Sequence, residues 1–149
     1  MEIRVAKNGD MGFLIDGLEK NRIIEDRPKK DINARPSDIK AFEKGIKNKS
    51  ILIAEENGRA VGFLDFRTNF KVMYMYDKFF WIDLIFVKED FRGRGVGKFL
   101  YSEALRLADK KGFKKVVLDI FSANKNSTEF HTKLGFEPVY TIYQKKVED

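Results

Sequence analysis

An apolar run that leads into a glycine-rich basic segment constrains the fold of this chain more than any other feature. Residues 79–87 read FFWIDLIFV and carry one charge, whereas residues 89–100 read EDFRGRGVGKFL, with three glycines and three basic side chains. Apolar residues then recur at helical spacing from Val96 to Ala108. The pattern predicts a buried strand, a tight turn and an amphipathic helix whose free N-terminal N–H groups attract a phosphate.

Two common phosphate-binding loops do not fit this segment. A Walker A loop needs a glycine five positions before Gly97, where the chain has Arg92. A dinucleotide-binding fingerprint starting at Gly93 needs a third glycine where the chain has Lys98. A turn without a ligand would not need so many glycines, because each one costs conformational entropy. The remaining pattern is a strand, then R-x-x-G-x-G, then a helix.

Periodicity along the rest of the chain predicts one mixed α/β domain spanning residues 1–149, with about seven strands and four helices. Further predicted strands are residues 2–7, a hairpin over 50–70 that turns at Asn57-Gly58, residues 114–121 and residues 138–147. Helices are expected to begin after N-caps at Asp10, Ser37 and Asn126, and the helix after the glycines to end near Gly112.

Composition narrows the classes of function. The chain has no cysteine, which excludes thiolate chemistry, and one histidine, which excludes a multi-histidine metal site. We therefore expect no metal. The net charge of +6 permits a nucleic-acid-binding domain, but the aromatic residues lie in apolar strands rather than among basic residues, so we expect no nucleic-acid partner. No apolar stretch is long enough to span a membrane and no signal peptide is visible, so we expect no membrane partner and a cytoplasmic protein.

Two motifs at a compatible spacing resemble the GNAT superfamily of acyl-CoA N-acyltransferases. They are IDLIFVKEDFRGRGVGKFL, residues 82–100, and Asn124 followed by HTKLGF, residues 131–136. The resemblance implies a central mixed sheet with splayed parallel strands at the cofactor site, and acetyl-CoA (coenzyme A) as co-substrate. The pantetheine arm would pair with the backbone of Ile85, Phe86 and Val87, and Asn124 would hold it from the next strand. The residues expected around the phosphates are Arg92, Gly93, Arg94, Gly95, Val96, Gly97, Lys98 and, unless it is merely solvated, Lys133.

Two residues are candidates for catalysis. Asp83 interrupts the apolar run, and alternation places it on one face with Trp81 and Ile85, where burial would raise its pKa towards that of a general base. The alternative is a carboxylate satisfied by backbone or an arginine. His131 stands where the family has a tyrosine that protonates the coenzyme A thiolate. The alternative is a surface histidine, with Tyr140 or Tyr143 in that role; Asp119 is expected to be structural.

The resemblance implies an N-acetyltransferase that moves an acetyl group from acetyl-CoA to a primary amine of a small or amino-acid-like acceptor. Attack would be direct, in a ternary complex, because cysteine is absent and no serine lies in a nucleophile motif. An inactive acyl-CoA-binding module and a protein N-terminal or lysine acetyltransferase stay open as alternatives. The oligomeric state stays open, and a homodimer is among the alternatives.

Overall fold

The strands and helices follow the predicted alternation, and a computed structural model describes them for residues 1–72, 75 and 77–147. The chain divides into two compact units, Met1–Asp119 and Ile120–Asp149. The first unit holds the sheet and three α-helices, and the second holds one α-helix. The single domain expected from the sequence stays a prediction.

The first unit contains a five-stranded sheet with strand order β1-β2-β3-β4-β5. The first four strands pair antiparallel, and β4 pairs with β5 in parallel, so the sheet is mixed as predicted. The strands are β1 (Glu2–Val5), β2 (Ile51–Glu56), β3 (Arg59–Arg67), β4 (Phe80–Val87) and β5 (Val116–Val117). The helices are α1 (Met11–Ile24), α2 (Pro36–Lys47), α3 (Val96–Lys110) and, in the second unit, α4 (Lys125–Lys133).

The two faces of the sheet carry different helices. On one face the ring of Phe63 in β3 lies in a core cluster with Leu14 of α1 and Phe42 of α2. The neighbouring Gly62 points to the other face, where an added Cβ would lie 3.1 Å from Val96 of α3 and 2.9 Å from the backbone oxygen of Phe86. The glycine therefore lets the first residue of α3 approach the sheet closely, which fixes where this helix begins.

Local signals identified most elements, with errors at some boundaries. The Asn57-Gly58 hairpin is confirmed, since both residues have positive φ, 53° and 72°. The predicted N-cap at Ser37 is wrong, because α2 begins at Pro36 and its N-cap is Arg35. The predicted N-cap at Asn126 is also wrong, because Asn124 caps α4 through its side chain.

The mixed α/β class is confirmed, but the described residues form five strands rather than about seven. Of the predicted strand over 114–121, only Val116 and Val117 pair. The predicted last strand over 138–147 is not formed. Its apolar side chains Val139, Ile142 and Tyr143 are exposed, and alternation alone does not make a strand when no neighbouring strand completes a hydrogen-bond ladder.

Candidate active site

The glycine loop has the geometry that its sequence predicts. Gly93 and Gly95 adopt left-handed backbone conformations, with φ of 72° and 82°, which side chains rarely tolerate. Gly95 is the N-cap of α3, and no side chain caps the helix there. Apart from the adjoining backbone, no heavy atom of the described residues lies within 4 Å of where a Cβ on either glycine would be. The loop therefore presents an uncapped, positively polarised helix N-terminus to open space.

The three basic residues of the loop differ in their surroundings. The Nε atom of Arg92 donates to the backbone oxygen of Val87 at 3.0 Å. Arg94 pairs with Glu56 at 3.1 Å, and its guanidinium lies 4.7 Å from the ring centre of Phe91. Lys98 is exposed in the first turn of α3. Positive charge thus surrounds the helix N-terminus, although Arg94 is already held by a carboxylate.

One side of β4 is left open beyond its short pairing with β5. That ladder ends at Trp81 and Val117. The backbone N–H of Lys88 donates to Val61 of β3, so by alternation the N–H and C=O groups of Ile85 and Val87 point away from β3, towards the open side. The end of β4 therefore offers two residues of backbone that no strand of the described chain pairs with.

Side chains occupy the carbonyls on this open side. The side chain of Asn21 in α1 donates a hydrogen bond to the backbone oxygen of Ile85 at 2.9 Å, and the side chain of Arg92 donates one to the backbone oxygen of Val87. Phe86, grouped with these residues in the sequence analysis, differs from them in the direction of its backbone. Its register partner is Phe63, so its backbone N–H and C=O groups face β3, and its ring lies in the core.

Asp83 is the extra residue of a β-bulge. Asp65 stands opposite Leu84 and Phe66 opposite Ile82, which leaves Asp83 without a partner of its own. Asp83 accepts hydrogen bonds from Trp81 Nε1 at 3.1 Å and from Arg67 at 3.2 Å, and its side chain is 32% exposed. The expectation that Asp83 is buried is wrong, because the bulge breaks the alternation on which that expectation depended. The alternative interpretation of Asp83 was a carboxylate paired with an arginine, and Arg67 is such a partner.

The buried carboxylate of this region is Asp65 in β3, which sequence analysis missed. It is 3% exposed, and burial, followed by the charge of Asp83, raises its pKa to about 8, while Arg67 acts in the opposite direction. Partial burial raises the pKa of Asp119 as well, and Asp83 again adds to the effect. A signal was available, because Asp65 interrupts the apolar stretch VGFLDF as Asp83 interrupts its own.

The second unit carries the other three predicted site residues. Asn124 accepts a hydrogen bond from the backbone N–H of Ser127 at 3.1 Å, so its side-chain oxygen serves as the N-cap of α4. Lys133 pairs with Glu129 at 3.0 Å, and its side chain is 74% exposed. Both residues thus have local partners within this unit.

His131 is buried rather than on the surface. It is 3% exposed and its ring meets those of Phe130 and Phe136 edge to face. Its Nδ1 lies 2.7 Å from the backbone oxygen of Ser127, which can only accept, so Nδ1 carries a proton. Burial lowers the pKa of this imidazole, and the hydrogen bond to Ser127 opposes that shift only in part.

We expect the titration of His131 to have its midpoint below pH 6.5, because burial disfavours the imidazolium. Stability is then lost as the pH falls from 6.5 towards this lower pKa, since the unfolded chain takes up the proton first. His131 is the sole histidine, so its ring signals in a proton NMR titration need no assignment. A midpoint at or above 6.5 would contradict the burial described here.

The described residues contain neither a metal cluster nor a membrane-spanning helix. No group of three or more His, Cys, Asp or Glu side chains in this part of the chain converges on a metal-sized site. No helix within the same residues is long and apolar enough to cross a membrane. The cytoplasmic location and the absence of a nucleic-acid partner stay predictions.

Comparison with known sequences gives matches in acetyltransferases. The acetyltransferase (GNAT) family matches residues 20–136. An uncharacterized N-acetyltransferase of Archaeoglobus fulgidus is 30% identical over 135 residues, which cover 88% of this chain and 89% of the relative. An uncharacterized N-acetyltransferase of Methanocaldococcus jannaschii is 39% identical over 85 residues, and the match covers 57% of this chain and 38% of that longer relative.

Solved structures share the fold. A mutant of a Bacillus halodurans protein superimposes with a TM-score of 0.82 at 16% identity, and the match covers 99% of this chain and all of that one. An aminoglycoside N-acetyltransferase, solved in complex with coenzyme A, gives a TM-score of 0.69 at 25% identity, with 97% of this chain and 98% of that chain covered.

Proposed function

Because the chain belongs to the acetyltransferase (GNAT) family, we propose that it transfers an acetyl group from acetyl-CoA to a primary amine by direct attack in a ternary complex. The observation that carries the proposal is the continuity of two features. The open side of β4 at Ile85 and Val87 leads directly into the uncapped helix N-terminus at Gly95. Together they suit a ligand that has an amide-containing arm at one end and a diphosphate at the other.

The residues of the first unit fit the coenzyme A part of this substrate. The carbonyls of Ile85 and Val87 already accept from Asn21 and Arg92, so the open side of β4 offers the pantetheine arm N–H groups as donors. The diphosphate finds the N–H groups that begin α3, with room left by Gly93 and Gly95. Arg92 and Lys98 neutralise phosphate charge. For Asn124 and Lys133, whose local partners are given above, a contact with the cofactor stays a prediction.

The chemistry follows from the polar groups near the end of β4. The unprotonated amine attacks the thioester carbonyl, and the backbone N–H of Val87, which points to the open side of the strand, stabilises the oxyanion that develops. Asp83 is exposed and carries one arginine partner, so it is well placed to attract a cationic acceptor. The aminoglycoside acceptor of a related fold supports a small polyamine-like molecule rather than a protein as the acceptor class.

This proposal assigns no residue as the acid that protonates the departing coenzyme A thiolate. His131 was predicted for it, but a neutral ring whose Nδ1 proton is held by Ser127 is a poor acid. Tyr140 and Tyr143 stay open for this role, and both are exposed.

The test of the proposed function is release of free thiol when the protein is mixed with acetyl-CoA and a panel of amines, read with a thiol-specific dye. The panel should hold polyamines, aminoglycosides, amino acids and a short peptide with a free N-terminus. Acetylation of one or more small amines supports the proposal. Coenzyme A binding without thiol release on any amine indicates the inactive binding module, and acetylation of the peptide alone indicates a protein acetyltransferase.

We expect Arg92→Ala to weaken coenzyme A binding by about tenfold, roughly 1.4 kcal/mol. The substitution removes one charge beside the phosphates and the donor to Val87, but the backbone donors of α3 remain. Isothermal titration calorimetry measures the change. Arg106→Ala is the matched control, because Arg106 lies on α3 in an exposed pair with Glu103. Equal affinity in the two variants would show that Arg92 has no part in the site.

A further inference from the structure

Asp65 is a buried carboxylate without a bonded partner. It makes no hydrogen bond and no ion pair with another described residue, although it is only 3% exposed. Burying a carboxyl group without a hydrogen bond costs free energy that the fold must supply elsewhere. A buried carboxyl group in this condition is a candidate for a functional site, because such groups cluster there.

Asp65 interacts electrostatically with charged groups on its own strand and on the neighbouring β4. Across β4, Asp83 acts on it from the bulge, and Arg67, two residues along β3, acts with the opposite sign. The strand on its other side, β2, contributes the uncharged Ile51. The pKa of Asp119, just after β5, is raised by burial and also by the charge of Asp83, while Arg27 acts in the opposite direction. Two arginines are thus set against these carboxyl groups, and one of them, Arg27, also pairs with Glu25.

The two central carboxylates have different exposure. Asp83 is exposed and bonded to Arg67 and Trp81, whereas Asp65 is buried. Arg67 lies two residues from Asp65 on β3 and stands opposite Trp81, so the two partners of Asp83 lie on the same face of the sheet as Asp65. An incoming ammonium group thus meets Asp83 first and supplies to Asp65 the cationic partner that it lacks.

Resting on the proposed transfer to an amine, we propose that Asp65 is the catalytic residue that takes the proton from the acceptor ammonium, while Asp83 binds that ammonium. One N–H bond of the ammonium breaks and an O–H bond forms on Asp65. The nitrogen lone pair then attacks the thioester carbon, the C–S bond breaks, and the second amine proton leaves with the coenzyme A thiolate as free thiol.

The dependence of kcat/KM on pH tests the assignment. Asp65 must be ionised to accept a proton, so we expect wild-type kcat/KM to rise with pH through the neighbourhood of 8. The pH profile should be measured with two acceptors whose amines differ in pKa. If the rising limb has the same midpoint with both acceptors, the titrating group belongs to the enzyme and not to the substrate. Asp65→Asn should remove the limb and lower kcat by about 10²- to 10⁴-fold.

Two further variants should shift the midpoint of this rising limb in opposite directions, as titration of Asp65 requires. In Asp83→Asn the limb should persist and move to lower pH, because the charge that raises the pKa of Asp65 is gone. In Arg67→Gln it should move to higher pH, because a stabilising cation is gone. Calorimetry should give the same coenzyme A affinity for wild type and all three variants. The changes in the pH profile and in kcat would then arise at the acceptor site rather than at the cofactor site.

The outcomes separate the inference from the function on which it rests. If the wild type acetylates an amine but Asp65→Asn keeps the rising limb, the assignment of Asp65 is wrong. If the limb disappears in Asp83→Asn instead, Asp83 is the base, as the sequence alone suggested. Coenzyme A binding without turnover of any amine by the wild type overturns the proposed function and this inference together, before any variant is made.

Discussion

Gly95→Asp is expected to reduce coenzyme A affinity by at least about 100-fold while the protein remains folded. The new carboxylate projects into the empty space beside the N-terminus of α3, where the diphosphate is proposed to bind. Two like charges about 4 Å apart repel by roughly 4 kcal/mol at an effective dielectric of about 20, which corresponds to more than two orders of magnitude in affinity. Calorimetry with coenzyme A measures the loss.

Two controls separate charge from backbone strain. Gly95→Asn has a similar size and tolerates the same positive φ, but carries no charge, so it should bind more tightly than the aspartate variant. Gly58→Asp places the same carboxylate at a comparable φ of 72° in the β2–β3 hairpin, also in open space. It should leave coenzyme A affinity unchanged. Wild-type affinity in Gly95→Asp would remove the glycine loop from the proposed site.

Asp65→Asn is expected to make the protein more stable at pH 8 by a few kcal/mol, with little change near pH 4. The pKa of Asp65 is raised from 3.8 to about 8 on folding. Between these values the native state keeps a proton that the unfolded chain has lost, so stability falls as the pH rises from about 4 to about 8 and is constant above. A difference of about one between the folded and unfolded pKa values corresponds to roughly 1.4 kcal/mol.

Thermal unfolding across this pH range checks the expectation, and it needs no substrate. For a chain of this length, each kcal/mol moves the midpoint by about 2–4 °C. Asp16→Asn removes a carboxylate from an exposed pair with Lys20 on α1, and it controls for the change in net charge. If Asp65→Asn gains no more stability at pH 8 than at pH 4, Asp65 is not held in a setting that disfavours its charge.

The sequence predicted well those features that neighbouring residues decide. The Asn57-Gly58 turn and the positive φ of Gly93 and Gly95 are local requirements of the backbone, visible in residue type alone. The helix after the loop follows from the apolar spacing that begins at Val96. These features sufficed to identify the fold class and the phosphate-binding end of the proposed site.

What the sequence did not reveal depends on how strands pair. The position of Asp83 follows from a register shift between β3 and β4, which alternation within one strand cannot show. The same applies to Phe86, whose backbone direction is set by the hydrogen-bonded pair across the strands. Burial of Asp65 was foreseeable as an interruption of an apolar stretch, but its relation to Asp83 required the register.

The unpaired side of β4 also bears on how this protein avoids aggregation. A strand with free backbone groups is a template for strands of other molecules, and proteins usually protect such edges with charge, with irregular geometry or with a covering segment. Here the carbonyls of Ile85 and Val87 are already held by Asn21 and Arg92, and a bulge at Asp83 bends the strand just before them. The unpaired stretch at Ile85 and Val87 is half-buried and short, and β-strands usually have at least about three residues. We therefore expect the same feature that admits a ligand in the proposed function to make this edge a poor template for the strands of other molecules.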